Sequence, residues 1–486
     1  MMLLVYLIML PFVAAWFSLV CRNDRARTAF SVFLYVIMAG AGVRLAYLVC
    51  TGMPVVVFGN LLRADALSAF FVVLITCISL ASLIYSKGYL VHSEEGDLSP
   101  RKKSLYYFFF HIFVCAMLAA VLVDNLGHLW VAIEMTTLAS TFLVGFYNNK
   151  TSVEAAWKYL IICSVGITIA LLGTVLLYYN VALYGGVKSL DWSVIVSVAS
   201  SLDHRLIVVA FLFILVGYGT KAGVVPMHTW LPDAHSQAMT PVSALLSGVL
   251  LKTSIYALLR FAIIVNKTLG TNFAFTVLMY AGLFSVGVAS FFVLVQKDLK
   301  RLLAYSSIEN VGIILFGLGL GSPLAISGAL FHTFNHACAK SLLFFSAGNI
   351  VKRYKTHNMH LIQGVIQAMP FTGVAVLVGL FAIVGMPPFA IFMSKLAILT
   401  AALATKHFLL SALFLLFVAL VFGALLLHLG KVVFGNKPKN IPRVPETLSV
   451  KLVFSVLIAY LVLFGFGVGF PLRLLLERAV DVVRGI

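Results

Sequence analysis

Acids, lysines and histidines recur inside stretches of this chain that are otherwise apolar: Glu134, Lys158, Lys221, Lys252, Glu309, His332, His336, Lys340 and Lys395. A lysine or acid at the centre of a membrane helix costs about 2.5–3.5 kcal/mol on insertion scales. They cannot all face lipid at that cost. They must line a polar interior, paired or hydrated. Side chains of these types gain and lose protons without help from a cofactor, so the chemistry they offer is proton handling. A blander reading places a side chain near a helix end, its charged head reaching back to water. For Lys158 and Lys340 this reading and the interior one weigh equally; Lys221, Lys252 and Glu134 fit it poorly. The other bland reading is a static network of buried salt bridges.

His332 and His336, in "FHTFNHACAK", stand four residues apart and share a helix face. No further ligands stand nearby in sequence and HExxH is absent, so a proton relay or a hydrogen-bonded pair fits better than zinc. "GLGLGS" (317–322) follows an apolar helix instead of a strand, and is no phosphate loop. Prolines fall where helices should run. "GYGTKAGVVPMHTWLPDAH" (217–235) carries Pro226 and Pro232 shortly after Lys221, and "VGMPPFAIFMSK" (384–395) carries Pro387 and Pro388 shortly before Lys395. Broken backbone survives at membrane depth only beside protein or a water-filled cavity.

The elements that position these residues follow from composition. Of 486 residues, 62% are hydrophobic and 10% charged. A soluble domain carries about 25% charged residues. The mean hydropathy is +1.08, and apolar runs of about 20 residues, enough to cross a bilayer, recur throughout. The chain is an all-α polytopic membrane protein. Its first residues are apolar but lack a basic leader and a small-residue cleavage site, so they read as a retained first span. The 6 cysteines are scattered with no CxxC pair, which argues against a disulfide framework and against an iron–sulfur or zinc cage. A net charge of +18 is explained by basic loops on one side of a membrane, with no need for nucleic acid.

Apolar windows place about fourteen spans, at 2–20, 28–50, 66–86, 105–123, 127–147, 155–180, 206–233, 240–265, 272–295, 301–320, 324–350, 370–398, 407–434 and 449–472. Alternate loops differ in charge. One side holds Arg22, Arg25, Arg27, Lys87, Arg101, Lys102, Lys103, Lys150, Lys297, Lys300, Arg301, Lys352, Arg353, Lys355, Lys431, Lys437, Lys439 and Arg443; the other has a few, such as Arg63, Lys188, Arg205, Lys267 and Lys406. By the positive-inside rule the first side is cytoplasmic, and both termini face outward. The basic tail (Arg473, Arg478, Arg484) is reconciled with this as an amphipathic helix on the outer surface. Residues 187–202 read as another surface helix.

The two halves align. "VAIEMTT" (131–137) matches "SSIENVG" (306–312), pairing Glu134 with Glu309, and the breaks follow at nearly equal distances. The fifth span then maps onto the tenth and the seventh onto the twelfth. A step of five spans inverts the second copy in the membrane, and inverted repeats with discontinuous helices are a transporter pattern. The division reads as residues 1–104 for spans 1–3, 105–265 for the first repeat (spans 4–8), 272–435 for the second (spans 9–13), and 436–486 for span 14 and the tail.

"TKAGVVPMHTWLPDAHSQAMTPVSALLSGVLLKTSIYALLRF" (220–261) resembles the signature of the antiporter-like subunits shared by respiratory complex I, Mrp sodium/proton antiporters and membrane-bound nickel–iron hydrogenases. "DLKRLLAYSSIENVGII" (298–314), "FHTFNHACAKSLLFFSAGNI" (331–350) and the glutamate of "HLWVAIEMTTLAS" (128–140) belong to the same pattern. The resemblance covers nearly the whole chain. It implies fourteen helices, two inverted five-helix units and broken spans seven and twelve. It makes Glu134 the acid of span five, Lys221 the lysine of span seven and Lys252 that of span eight. His332, His336 and Lys340 fall in the polar axis of span eleven, and Lys395 takes the place in span twelve held by lysine or glutamate among relatives. Glu309 and "MPPFAIFMSK" look most like the hydrogenase-4-type F subunit; complex I subunits usually lack that acid. With only a short tail after span fourteen, the long lateral helix of the largest complex I relative is not expected.

The function implied is proton translocation by a non-redox subunit of a redox-driven complex, hydrogenase-4-like, formate-linked or NADH-quinone oxidoreductase. The alternatives are an Mrp-type sodium/proton antiporter subunit and a non-conducting structural subunit. No motif here holds flavin, iron–sulfur, nickel or haem, so such centres are expected in partner subunits. The expected partners are other antiporter-like and quinone-module-like membrane subunits, peripheral redox subunits on the cytoplasmic side, and the bilayer of the inner (cytoplasmic) membrane. In the expected cycle Glu134 lies beside Lys221 and holds its charge. When the acid swings away, a proton passes through Lys252 and the span-eleven residues to Lys395. The orientation is directly testable. Cysteines placed at Lys103 and Lys439 should be protected from an impermeant thiol reagent in intact cells, and one at Lys267 should be labelled. The opposite labelling pattern would overturn the span count or the hand.

Overall fold

A computed structural model describes residues 2–90, 98–438, 441 and 446–485. Lys439 and Arg443, two of the basic loop residues above, lie outside the described residues. Among the described residues eleven helices are long and apolar enough to cross a membrane, and shorter apolar helices join them. In chain order they begin with α1 (Leu3–Val20), α2 (Asp24–Thr51), α3 (Ala66–Tyr89), α4 (Pro100–Leu122), α5 (Leu126–Val144) and α6 (Lys150–Tyr184). The short α7 (Trp192–Val198) matches the surface helix expected at 187–202.

The expected span 206–233 is two helices, α8 (His204–Ala222) and α9 (Trp230–Gln237). Gly223 ends α8 with φ +78, a left-handed conformation that favours glycine. Thr240–Leu269 follows as α10 (Thr240–Leu245), a π turn at Leu246–Leu250, and α11 (Leu251–Leu269). Next come α12 (Phe273–Leu294), α13 (Leu299–Gly319), α14 (Pro323–Tyr354) and the single turn α15 (Val365–Ala368). The span expected at 370–398 also divides, into α16 (Pro370–Val384) and α17 (Ala390–Ala404), with Gly385 at φ +82 between them. After α18 (Phe408–Phe434), the last expected span, 449–472, stops early. It is α19 (Leu448–Leu463), and a separate α20 (Phe470–Arg484) follows the glycine-rich "GFGVG". The cause is local: glycine disfavours helix continuation, and Pro471 suits the first turn of a new helix.

The all-α description has one exception among the described residues. Val55–Val57 and Leu62–Ala64 pair as an antiparallel hairpin in the register Val55↔Ala64. The signal was present as β-branched valines before a Gly-Asn turn, with Phe58, Gly59 and Asn60 at positive φ.

Burial separates centre from rim. The apolar windows of Thr240–Leu269 and of α13 are wholly enclosed by other helices, whereas those of α1, α2 and α18 are about one-third buried or less. The enclosed pair carries Lys252 and Glu309 at mid-helix, both fully buried. On one flank α6 and α8 approach closely: a β-carbon on Gly217 would sit 2.4 Å from the Ala170 methyl and 2.6 Å from the Gly166 carbonyl oxygen. That approach brings Tyr159 of α6 to Lys221 of α8. The C-terminal α20 is amphipathic as expected. It buries Leu475, Leu476, Ala479, Val480 and Val483, packs on α3, and ends beside Lys267.

A buried polar row as the candidate functional site

Lys221 occupies the last turn of α8, fully buried. Its Nζ donates to Thr137 Oγ1 at 2.8 Å and to Tyr159 Oη at 2.6 Å, and lies 4.7 Å from the Tyr159 ring centre. Tyr159 shares a 2.7 Å hydrogen bond with Ser140. Glu134, half-buried on α5, accepts from Ser164 Oγ at 2.7 Å and from Thr137 Oγ1 at 3.3 Å. Acid and lysine therefore meet through one threonine hydroxyl. The expected direct pairing is replaced by this relay because Thr137, one helical turn beyond Glu134, occupies the space beside Nζ.

The second cluster lies on the enclosed helices. Lys252 Nζ donates to the Ser247 carbonyl, which the π turn presents, and meets His336 Nδ1 at 2.7 Å. The His332 and His336 rings lie 6.3 Å apart. Lys340 donates to the Leu303 carbonyl at 2.6 Å and to the Ser306 hydroxyl. His332 Nε2 is 3.0 Å from Asn310 Oδ1, and its Nδ1 is 2.9 Å from Ser394 Oγ. The Asn310 amide donates to Glu309 and to the Ser306 carbonyl, which fixes its oxygen toward His332. Ser394 can turn its proton either to His332 or to the Ile391 carbonyl at 2.8 Å. The site thus accepts the imidazole in either protonation state.

Glu309 Oε1 stands 3.6 Å from Lys395 Nζ, which also donates to the Ile383 carbonyl at 3.2 Å, beside the Gly385 break. Glu309 does not pair with Lys300 or Arg301, the cations near the start of its own helix. Arg301 pairs with Asp233 at 2.5 Å, and Lys300 donates to the Ala238 carbonyl. Pro226, Pro387 and Pro388 all lie in the breaks.

Lys158 is not part of this row. Its side chain is 49% exposed and pairs with Glu154 at 2.7 Å and Asp233 at 3.5 Å. Only eight residues after Lys150, it is close enough to the end of α6 for its ammonium to reach the surface.

Sequence reasoning passed over His235, the last residue of the broken segment quoted above. It is fully buried, and neither ring nitrogen has a hydrogen-bond partner among the described residues. Its ring lies 6.3 Å from Trp230 and 5.6 Å from Phe344. Trp230 packs on Tyr159 at 4.8 Å, and Lys340 Nζ lies 5.9 Å from the Phe344 ring. His235 therefore stands between the Lys221 cluster and the Lys340 cluster. Tyr159, Thr137, Asn310 and Ser394 were also passed over, since isolated hydroxyls and amides in apolar helices give no sequence signal.

The family described as NADH:quinone oxidoreductase/Mrp antiporter, transmembrane, matches residues 123–423, and that of the complex I chain 5 N-terminus matches 60–97. The chain is an antiporter-like membrane subunit of that family. It is 37% identical over 418 residues to a hydrogenase-4 component F homolog of Methylacidiphilum infernorum (isolate V4), covering 85% of this chain and 87% of that protein. Its fold is similar to a chain of the membrane-bound sulfane sulfur reductase, an archaeal respiratory membrane complex, with TM-score 0.88, 23% identity, and 99% and 98% of the two chains covered. A chain of the Mrp complex from Dietzia sp. DQ12-45-1b aligns with TM-score 0.87, 20% identity, and 99% and 97% covered. Both structures are of membrane complexes, and this antiporter-like subunit is likewise a multi-pass membrane protein.

The position of Lys158 generates a prediction. Exposed ion pairs contribute about 0–1 kcal/mol, so Lys158→Ala should leave proton pumping by the assembled complex within about twofold of wild type. Loss of pumping in proteoliposomes would place Lys158 in the row after all.

Proposed function

We propose that this antiporter-like subunit translocates protons within a redox-driven membrane complex of the hydrogenase-4 type and itself carries no redox centre. The single observation that supports this reading most strongly is the buried row, in which Lys221, Lys252 and Lys340 are met by hydroxyls, carbonyls and imidazole, with no carboxylate in direct contact. A lysine held by neutral acceptors can release its proton without leaving a stranded counter-ion. In this reading Glu134 governs the charge of Lys221 through Thr137, and His235 carries the proton across to Lys340 and Lys252. His336, His332 and Asn310 continue the row to Glu309 and Lys395. The relation of the two halves is that of inverted repeats within fourteen spans, with a break serving each half.

The basic loops face the cytoplasm across the inner membrane, both termini face outward, and α20 lies on the outer surface. Quinone-module-like and further antiporter-like subunits adjoin the chain in the membrane. Peripheral redox subunits with iron–sulfur, nickel–iron or flavin centres dock on the cytoplasmic side. Sodium is the less suitable ion. A row of lysines and histidines repels a bare cation, and a sodium site would need several oxygen ligands around one point. The Mrp-type reading is therefore second, and a non-conducting subunit third.

Glu134→Gln and Lys221→Ala should each lower proton pumping by about a hundredfold, the order of one lost proton-transfer group, while the complex still assembles. The measurement follows a pH-sensitive dye in proteoliposomes during redox turnover. Wild-type acidification in both variants would sink the reading.

A further inference from the structure

The row must be filled from one face of the membrane, and α3 and α14 carry polar residues that the row does not use. Ser79, Ser82 and Ser341 are completely buried, and none of their hydroxyls has a hydrogen-bond partner among the described residues. Serines in helices commonly bond the carbonyl one turn back, as Ser86 and Ser346 do here. Unpartnered hydroxyls at this depth are costly unless water reaches them.

These hydroxyls lie along one seam. A β-carbon on Gly248, in the π turn, would sit 3.3 Å from Ser341 Oγ and 3.5 Å from the Ile78 side chain of α3. Ile78, Ser82 and Tyr85 follow one another at helical spacing on one face of α3. Tyr85 Oη reaches α14, donating to the Phe345 carbonyl at 2.8 Å and to Asn349 Oδ1 at 2.9 Å. Asn349 and Phe345 stand two turns and one turn beyond Ser341 on the same face of α14. From Asn349 the polar contacts run outward. Its amide donates to Thr372 Oγ1 at 3.3 Å, and the Thr372 amide donates to Glu446 at 2.9 Å. Glu446 lies in the loop beyond Lys431 and Lys437, on the basic face. At the inner end, Ser247 adjoins Gly248 and gives its carbonyl to Lys252.

We propose that this seam, from Glu446 through Thr372, Asn349 and Tyr85 to Ser82 and Ser341, is the water-filled path by which protons from the basic face reach Lys252. The path rests on the proton-translocation reading above. It enters the row at Lys252 and His336, in its middle. His336 Nε2 has no partner among the described residues, and in the tautomer that carries the proton on Nδ1, facing Lys252, it is a second acceptor there. No covalent step is involved: a proton moves along hydroxyls and water, and Lys252 or His336 receives it.

The test is an isosteric pair. Ser341→Val and Ser341→Thr add the same bulk, but only threonine keeps a hydroxyl. The valine variant should lower pumping about tenfold, the scale of a lost hydrogen bond to a charged group, and the threonine variant should pump as wild type. Equal pumping by both variants overturns the path. Lys221→Ala is measured beside them: a dead Lys221→Ala with a normal Ser341→Val removes the path and leaves the function standing. If the valine variant does not assemble, Ser82→Cys and Ser341→Cys decide by a readout other than pumping. A small thiosulfonate reagent with a permanently charged trimethylammonium group, followed by mass spectrometry at each site, should label both from the basic-loop face in inside-out vesicles and neither from the opposite face. Labelling from the opposite face alone, or from neither, overturns the path.

Discussion

An ammonium group taken out of water needs close acceptors, and in this chain the irregular backbone supplies many of them. A regular helix has its carbonyls engaged in its own ladder, so an interior lysine draws on side chains, on broken ladder, or on a second bond to a laddered carbonyl, as Lys340 does at Leu303. The π turn at Leu246–Leu250 offers the Ser247 carbonyl to Lys252, and the break at Gly385 offers the carbonyls of Ile383 and Val384 to Lys395. At the Gly223 break the freed Thr220 carbonyl goes to Trp230 Nε1 instead, at 2.8 Å. Lys221 is left to the hydroxyls of Thr137 and Tyr159. Each of these three irregularities thus coincides with a cation or with the aromatic packed beside one. A helix is broken next to a buried charge because the charge, or its neighbour, takes what the break releases.

The same constraint explains where the helices sit. The enclosed helices α11, α13 and α14 hold Lys252, Lys340, His332, His336 and Glu309, while α1, α2 and α18 form the rim. One buried ion pair serves a different purpose. Arg260 meets Asp65 bidentately at 2.7 Å, with Trp192 and Tyr256 against its guanidinium. That pair ties α11 to the start of α3 with its charges fully matched, as a fixed joint requires. The lysines of the row have no such match, apart from Lys395 with Glu309. The contrast separates the pair that holds the bundle together from the groups to which the proposed function assigns proton exchange.

Much of this was legible in the sequence. Insertion costs alone mark Lys221, Lys252, Glu309 and Lys395 as interior, because no charged residue tolerates lipid at that depth. Glycine and proline mark both breaks. Lys158 was misplaced because hydropathy windows ignore how far a lysine stem reaches, and span 449–472 ran too long because its glycines are not polar. The π turn had no signal, since Leu246–Leu250 reads as ordinary helix. His235 went unread because its role depends on Phe344, a residue far along the chain that only tertiary packing brings against its ring. Thr137 and Asn310 are invisible for a related reason: each matters through a partner on another helix.

The central claim is that the row is one connected path, and His235 is the place where it can be cut. His235→Phe keeps the ring between Trp230 and Phe344 and, because neither imidazole nitrogen is bonded within the described chain, strands no partner. Proton pumping by the purified complex carrying this variant, with redox turnover recorded in parallel, is the most direct measurement. The account predicts an assembled complex whose pumping is lost although every lysine of the row is intact. Pumping at the wild-type rate would show that Lys221 and Lys340 do not communicate through this histidine, and would contradict the account.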